Sequence, residues 1–565
     1  MEALIRKDES ALSGVPQTWG AIDWRRVERN VREMQIRIAK ATQEGDWRRV
    51  KALQRSLTRS FSAKASAVKR VTENQGKRTA GVDRVLWDSP EARWEAIGRL
   101  KRRGYTPLPL RRVFIPKANG KERPLGIPTM LDRAMQALYL LALEPVSEGT
   151  SDPNSYGFRI NRSTADAMSQ LFLNLSRKAS AQWILEADIK GCFDHISHDW
   201  LERNVPMDKA ILRKWLKAGV VFQGQLQATV AGTPQGGIIS PTLANVALNG
   251  LERQLVKSLE TKLGVVNTKK LKVNVVRYAD DFVITGSTPE ILESEVKPWV
   301  EQFLAVRGLT LSTEKTRIVN IADGFDFLGW NFRKYSGTLL IKPSKKNVQT
   351  FYSKVKGVIS ANKTAKQVSI INLLNPMLRG WAQYHSPVVA KATFNRLEYA
   401  VSKALWRWAK RRHPQKATDW VRKKYYAPVG DRSWVFGTTI VDDDGNGRWV
   451  GLYSLAGTPI QRHKKVRGDY HPFDPAQERY GEMLRQERML NNMSHRKQWI
   501  KLYISQRGLC AVCECRITKE TGWEDHHIEY RTHGGSDALG NRVLLHPDCH
   551  KQVHHHGRPV VKPVQ

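Results

Sequence analysis

The sequence predicts a multidomain α/β protein, and three observations predict it. The first is length: 565 residues exceed what one hydrophobic core organises, so several domains each bury their own. The second is patterning. β-branched and aromatic runs, such as 183–188 and 274–285, alternate with stretches of helical periodicity such as Trp24, Val27, Val31, Met34 and Ile38. The third is the placement of cysteine. Cys192 stands alone, whereas Cys510, Cys513, Cys515 and Cys549 share the last 56 residues. That is a local metal pattern rather than a disulfide framework, and it fits a reducing compartment.

Charge narrows the partners. The chain has 41% hydrophobic and 26% charged residues, and 92 Lys+Arg face 54 Asp+Glu for a formal net charge of +38. The cations are spread along the whole length, which points to a large polyanion lying across several domains, nucleic acid by default. No apolar run approaches a span of ~20 residues, so no membrane partner is expected. Residues Met1 to Gly14 include Glu2, Asp8 and Glu9 and lack the apolar core of a signal peptide. A cytoplasmic location, the bacterial cytoplasm or nucleoid, is the expectation.

Residues 1–65 read as a basic helical extension. Asn74 to Asp83, with two glycines and two cations, reads as a loop able to lie along a phosphate backbone. Residues 111–128 read as two strands joined by an Asn-Gly turn. Arg111, Lys117 and Arg123 there could converge on a triphosphate or form a solvated basic hairpin. Trp183 to Asp188 reads as a buried strand closed by an acid, either a helix N-cap or a metal ligand. Gly232 to Pro241 is a loop of turn residues opening a helix in which Leu243, Val246, Leu248 and Leu251 face a core. Asn274–Tyr278 and Phe282–Thr285 predict a β-hairpin with Asp280 and Asp281 at its tight turn. Two adjacent carboxylates in apolar surroundings repel unless a cation sits on them, and Mg²⁺ is the natural partner; a solvated Asp-Asp turn is the alternative.

Leu309–Thr316 and Phe325–Trp330 read as strands or strand–turn elements. From Lys345 to His413 the pattern is helical, with Trp381, Trp406 and Trp408 among Arg379, Arg407, Lys410, Arg411 and Arg412. Such a mixture suits RNA or a primer–template duplex. Residues 425–495 read as loop-rich. Asp442-Asp443-Asp444 begins like a calcium loop but lacks the later Gly and Glu, so no calcium is expected.

The last stretch can be argued from ligand chemistry. Cys510-x-x-Cys513 and His546-x-x-Cys549 supply two short-spaced pairs that suit tetrahedral, structural Zn²⁺, with Cys515 as a competing ligand. His550 and His554 are i,i+4 and share a helical face. With His526 they can bind one divalent ion. His527 is the candidate general base, because a neutral imidazole is available near pH 7. Asn541 would brace the intervening loop and orient His527. A purely structural Cys/His module is the alternative.

Taken together and in order, these segments resemble a group II intron-encoded protein: a reverse transcriptase and maturase with a C-terminal HNH endonuclease. The motifs are Ile115-Pro116-Lys117 with Arg123-Pro124-Leu125-Gly126, Ser155-Tyr156-Gly157-Phe158-Arg159, Ala187-Asp188-Ile189-Lys190 and Thr233-Pro234-Gln235-Gly236. Tyr278-Ala279-Asp280-Asp281, Phe327-Leu328-Gly329 and Leu378-Arg379-Gly380-Trp381 follow.

The resemblance implies right-hand polymerase fingers and palm over 66–340 and an α-helical thumb/maturase domain over 341–420. It further implies a basic DNA-binding region over 421–495 and a ββα-metal nuclease over 496–565. Asp188, Asp280 and Asp281 would hold two Mg²⁺ ions. Arg111, Lys117 and Arg123 would grip the triphosphate and Gln235 would border the nucleotide. Phe193 would exclude a ribose 2′-hydroxyl, while Cys192 departs from the aromatic often found beside it. The implied partners are the intron RNA, target DNA, a primer–template duplex and deoxynucleoside triphosphates. A maturase with degenerate sites, or a reverse transcriptase serving another host process, are the rival readings.

Overall fold

The computed structural model describes residues 16–116, 122–233, 236–441, 447–493, 497–530, 533–556 and 560. Lys117, Gln235 and the Asp442–Asp444 run lie outside the described residues.

The chain opens with three helices, Trp24–Gln43, Trp47–Arg59 and Phe61–Glu73. Each starts where a polar side chain accepts an otherwise orphaned N–H: Asp23 from Arg26, Asp46 from Arg49 and Ser60 from Ala63. Their apolar faces, among them Val27, Val31, Ile38, Leu57 and Val68, pack in one core with the helix Met130–Thr150. That helix is buried on nearly every side, so it reads as apolar all round rather than amphipathic.

The polymerase-like strands follow as β1 (Leu110–Pro116), β2 (Glu122–Ile127), β3 (Trp183–Asp188), β4 (Val220–Phe222), β5 (Gln225–Gln227), β6 (Asn274–Tyr278), β7 (Asp281–Gly286) and β8 (Arg317–Asn320). They form two four-stranded sheets, β2-β1-β4-β5 and β6-β7-β3-β8. In the second sheet all pairings are antiparallel, and Asp188 lies opposite Asp281. The hairpin expected at 274–285 is present, with its second strand starting one residue earlier. Asp281 is held in the ladder because it pairs with both Tyr278 and Asp188. Ala279 and Asp280 alone form the turn, and Ala279 takes a left-handed φ of 58°.

Three further strands, β9 (Phe325–Phe327), β10 (Trp330–Tyr335) and β11 (Thr338–Pro343), lead into the helices Lys345–Ala361, Gln367–His385 and Lys391–Arg412. On the last of these, Phe394, Leu397, Val401, Leu405 and Trp408 form the buried stripe. Two of the tryptophans grouped by sequence with surface cations are therefore core residues. The Trp381 indole N–H donates to Asn347 and that of Trp408 to the Asn362 carbonyl.

Residues 425–495, expected to be loop-rich, contain the antiparallel sheet β12 (Tyr426–Val429), β13 (Arg432–Val441) and β14 (Gly447–Gly451), and a helix, Glu478–Met493. The β-branched and aromatic run Trp434 to Val441 carried that signal. The final unit pairs β15 (Glu524–His527) with β16 (Arg542–Leu545) and adds the helix Pro547–His556. Its core of Leu502, Ile517, Val543, Leu544, Leu545 and Val553 also takes in Met489 and Met493. Among the described residues, no helix is long and apolar enough to cross a membrane.

Candidate active sites and metal centres

The first centre lies at the open end of the β6-β7-β3-β8 sheet. Strand register puts Asp188 directly across from Asp281, and the turn puts Asp280 beside them. Burial raises the Asp280 carboxyl above its ordinary range, and Asp188 adds to this. Asp281 keeps contact with solvent. Dehydration by the surrounding protein, then repulsion from Asp280 and Asp188, push its carboxyl up to about 7. Asp280 and Asp281, with Asp188 across the ladder, are hard oxygen donors of the type that Mg²⁺ takes.

The turn is fixed from below. Arg277 is fully enclosed in the protein and donates to the Asn245 side chain and to the Ala279 carbonyl, each at 3.1 Å. Asn245 in turn donates to the Gly157 carbonyl at 2.8 Å. Gly157 has no room for a side chain: a Cβ there would stand 2.3 Å from the Ala279 nitrogen. Three segments far apart in sequence thus converge under one turn.

Around the carboxylates, Lys315 Nζ donates to Asp188 Oδ2 at 2.6 Å. Phe193 meets Phe158 edge-on, with ring centroids 6.3 Å apart, and Phe158 is largely exposed. The Thr233 N–H donates to the Phe193 carbonyl at 2.7 Å. A Cβ at Gly236 would lie 2.7 Å from the Gly126 carbonyl oxygen on β2. Thr233 thus contacts the Phe193 turn and Gly236 the strand that carries Arg123. Arg123 is exposed and close enough to lower the Asp280 carboxyl electrostatically. Arg111 is committed otherwise: its Nε and Nη2 donate to the Ala80 carbonyl at 3.1 and 2.8 Å. Lys315 and Phe158 lay inside stretches singled out by sequence, but nothing local marked their side chains.

The second centre combines two ligand clusters. Cys510, Cys513, His546 and Cys549 offer ligand atoms within 4.8 Å of one another, and Cys515 is outside this set. The His546 Nε2–H points at the Arg516 carbonyl at 3.0 Å, leaving Nδ1 facing Cys513 Sγ at 3.3 Å. A metal at Nδ1 would replace the proton that the neighbouring thiols hold there, while Nε2–H stays on the Arg516 carbonyl, the arrangement usual for metal-binding histidines. The soft donor set fits Zn²⁺.

His526, His550 and His554 offer ligand atoms within the same 4.8 Å limit. His526 is buried on β15, and burial, followed by the charges of His550 and His554, lowers its imidazole to about 4. It therefore stays neutral and able to ligate. Glu524 Oε2 bonds His550 Nδ1 at 2.5 Å, and the Nε2 atoms of His550 and His554 face each other at 3.0 Å. His527, next along the strand, points elsewhere and bonds Asp537 Oδ1 through Nε2 at 2.7 Å.

Asn541 braces the loop, accepting from the Glu529 N–H and donating to the Glu529 and Ser536 carbonyls at 2.8–2.9 Å. The side chain bonded to His527 is thus Asp537, which sequence reasoning missed. It sits in a glycine-rich turn with no pattern of its own.

Comparison with known proteins gives four matches in sequence order. Residues 19–100 match the N-terminal domain of reverse transcriptase and 115–332 match reverse transcriptase (RNA-dependent DNA polymerase). Residues 348–426 match the group II intron, maturase-specific domain and 510–556 match HNH endonuclease. Protein YkfC of Escherichia coli (strain K12) is 33% identical over 337 residues, which cover 53% of this chain and 87% of that protein. Group II intron-encoded protein LtrA of Lactococcus lactis subsp. cremoris is 28% identical over 427 residues, covering 59% of this chain and 69% of that one. Maturase-like protein 1 of Euglena gracilis is 27% identical over 373 residues, covering 64% and 76%. With a polymerase palm and a separate ββα histidine cluster on one chain, these matches place the protein in the family of group II intron-encoded reverse transcriptase/maturases with an HNH domain, an RNA-directed DNA polymerase and DNA endonuclease.

Proposed function

We propose that the chain copies its own intron RNA into DNA at the Asp188, Asp280 and Asp281 centre and nicks target DNA at the His527 centre, so that the nicked strand primes synthesis. The observation that carries this reading is the cross-strand pairing of Asp188 with Asp281 beside Asp280, on a chain that also holds a separate cluster of His526, His550 and His554.

Two Mg²⁺ ions on the three aspartates would supply Lewis-acid activation of the primer 3′-hydroxyl and neutralise the leaving pyrophosphate. Arg123, exposed and acting electrostatically on Asp280, receives the triphosphate together with Lys117, and Gln235 borders the nucleotide. Arg111 contributes through the loop it anchors at Ala80. Phe193, braced edge-on by Phe158, forms the wall that disfavours a ribose 2′-hydroxyl.

In the nuclease, a divalent ion on His526, His550 and His554 would stabilise charge at the scissile phosphate. His527, its Nε2 held by Asp537, takes the proton of the attacking water at its other nitrogen. Asn541 holds the loop that carries Asp537. The Zn²⁺ site of Cys510, Cys513, His546 and Cys549 is structural.

Residues 1–65 and 341–420 serve intron RNA, 66–340 hold the polymerase, 421–495 contact target DNA and 496–565 form the nuclease. Two variants test the assignment on the assembled ribonucleoprotein. Asp280→Ala is expected to abolish cDNA synthesis while RNA binding and nicking persist. His527→Ala is expected to remove the protein-catalysed nick and leave extension of a supplied primer intact. Retained synthesis in the first, or an unchanged nick in the second, sinks the corresponding role.

A further inference from the structure

The candidate zinc centre belongs to the C-terminal region by sequence, yet cations beside it come from the opposite end of the chain. Lys69, on the helix Phe61–Glu73, places Nζ 3.2 Å from Cys515 Sγ and 4.0 Å from Cys513 Sγ. The same ammonium lies 4.4 Å from the centroid of the Trp24 ring. On the other side of the cluster, Asp548 precedes the ligand Cys549 and is 5% exposed. Lys77 Nζ bonds its Oδ1 at 2.8 Å and Arg93 lies 3.7 Å from its Oδ2. Arg25 reaches Glu514 at 2.8 Å, an exposed pair of little energetic weight.

The charges explain the arrangement. Three thiolates and a neutral imidazole around a dication leave one net negative charge in a mostly buried site. A buried charge is costly unless paired. The nuclease region offers Cys515 as a hydrogen-bond acceptor beside the ligands, and Lys69 supplies the cation that this thiol and Cys513 face. Glu73, on the same helix, also acts on Lys69 electrostatically. Both ligand pairs, Cys510/Cys513 and His546/Cys549, are thus flanked by cations from residues 69–93.

We infer that the N-terminal helices form the outer electrostatic shell of the zinc centre, with Lys69 as its positioning residue, so that zinc occupancy and docking of the nuclease onto the polymerase are one linked equilibrium. The inference rests on reading the Cys₃His set as a zinc site. Linkage makes it reciprocal: whatever Lys69 adds to metal affinity, bound metal adds to docking.

The test uses the full-length protein. Zinc is titrated against a chromophoric chelator for wild type, Lys69→Met and Lys69→Arg, and hydrogen exchange is followed across 24–43 and 61–73 with metal present and stripped. Lys69→Met is expected to weaken zinc retention about tenfold or more, the usual scale for an outer-shell partner, while Lys69→Arg retains it. Lys77→Met, which removes the cation bonded to Asp548 beside Cys549, is a second variant expected to shift retention in the same direction. Stripping zinc is expected to speed exchange in both N-terminal segments.

Wild-type zinc retention in both Lys69→Met and Lys77→Met overturns the inference. So does equal loss in Lys69→Met and Lys69→Arg, or exchange indifferent to metal. A wild-type protein that takes up no zinc overturns the zinc reading instead.

Discussion

At the scale of single residues, the proposed polymerase centre depends on an atom that is missing. Gly157 lies so close to the Ala279 backbone that a Cβ would stand 2.3 Å from its nitrogen. Backbone cannot move aside as a flexible side chain can, so Gly157→Ala must displace the turn that carries Asp280. A shift of about 1 Å in a catalytic group costs on the order of 10²-fold in rate. Primer extension by Gly157→Ala is therefore expected to fall about 100-fold while nicking, assigned by proposal to His527, continues unchanged. Extension at the wild-type rate would show that the turn tolerates the movement. Arg277 works on the same turn from inside the protein, through its bonds to Asn245 and the Ala279 carbonyl.

At the scale of an element, the helix Gln367–His385 is tied to its neighbours by a histidine. His385 is fully buried, its ring 4.4 Å from that of Trp381 and 6.1 Å from that of Trp330. Its Nε2 bonds Asn347 Oδ1 at 3.0 Å. Burial lowers its pKa to about 3. The unfolded chain takes up this proton below pH ~6.5 and the folded one does not until about pH 3, so the unfolded state binds more protons between those values. Stability from this group is complete above pH ~6.5 and is lost as pH falls, at about 1.4 kcal/mol per unit well inside the window. Protection of the amides in this helix, taken relative to their intrinsic exchange rate, is expected to fall between pH 7 and 5. His385→Phe should flatten that dependence; an identical profile in the variant would assign it to other groups.

At the scale of the whole molecule, a formal net charge of +38 faces nucleic acid. Affinity for intron RNA is expected to fall at least about 10³-fold between roughly 50 and 200 mM salt, the behaviour of about six or more phosphate contacts. Filter binding over that range measures it, and a flat response would exclude an electrostatic interface. The sequence by itself determined the nucleic-acid partner class and picked out the candidate ligand residues. Charge balance, an Asp-Asp pair between β-branched runs and Cys-x-x-Cys with His-x-x-Cys are local properties, readable at short spacing. The loop-rich reading of 425–495 missed a sheet whose signal lay in Trp434 to Val441, because adjacent turn residues masked it. Only tertiary structure decided which distant groups meet. It set Asp188 opposite Asp281, gave His527 to Asp537 rather than Asn541 and brought Lys69 to Cys515 across 446 positions. Strand register, loop closure and the pairing of buried charge select such contacts, and these depend on the packed whole rather than on any short stretch of chain.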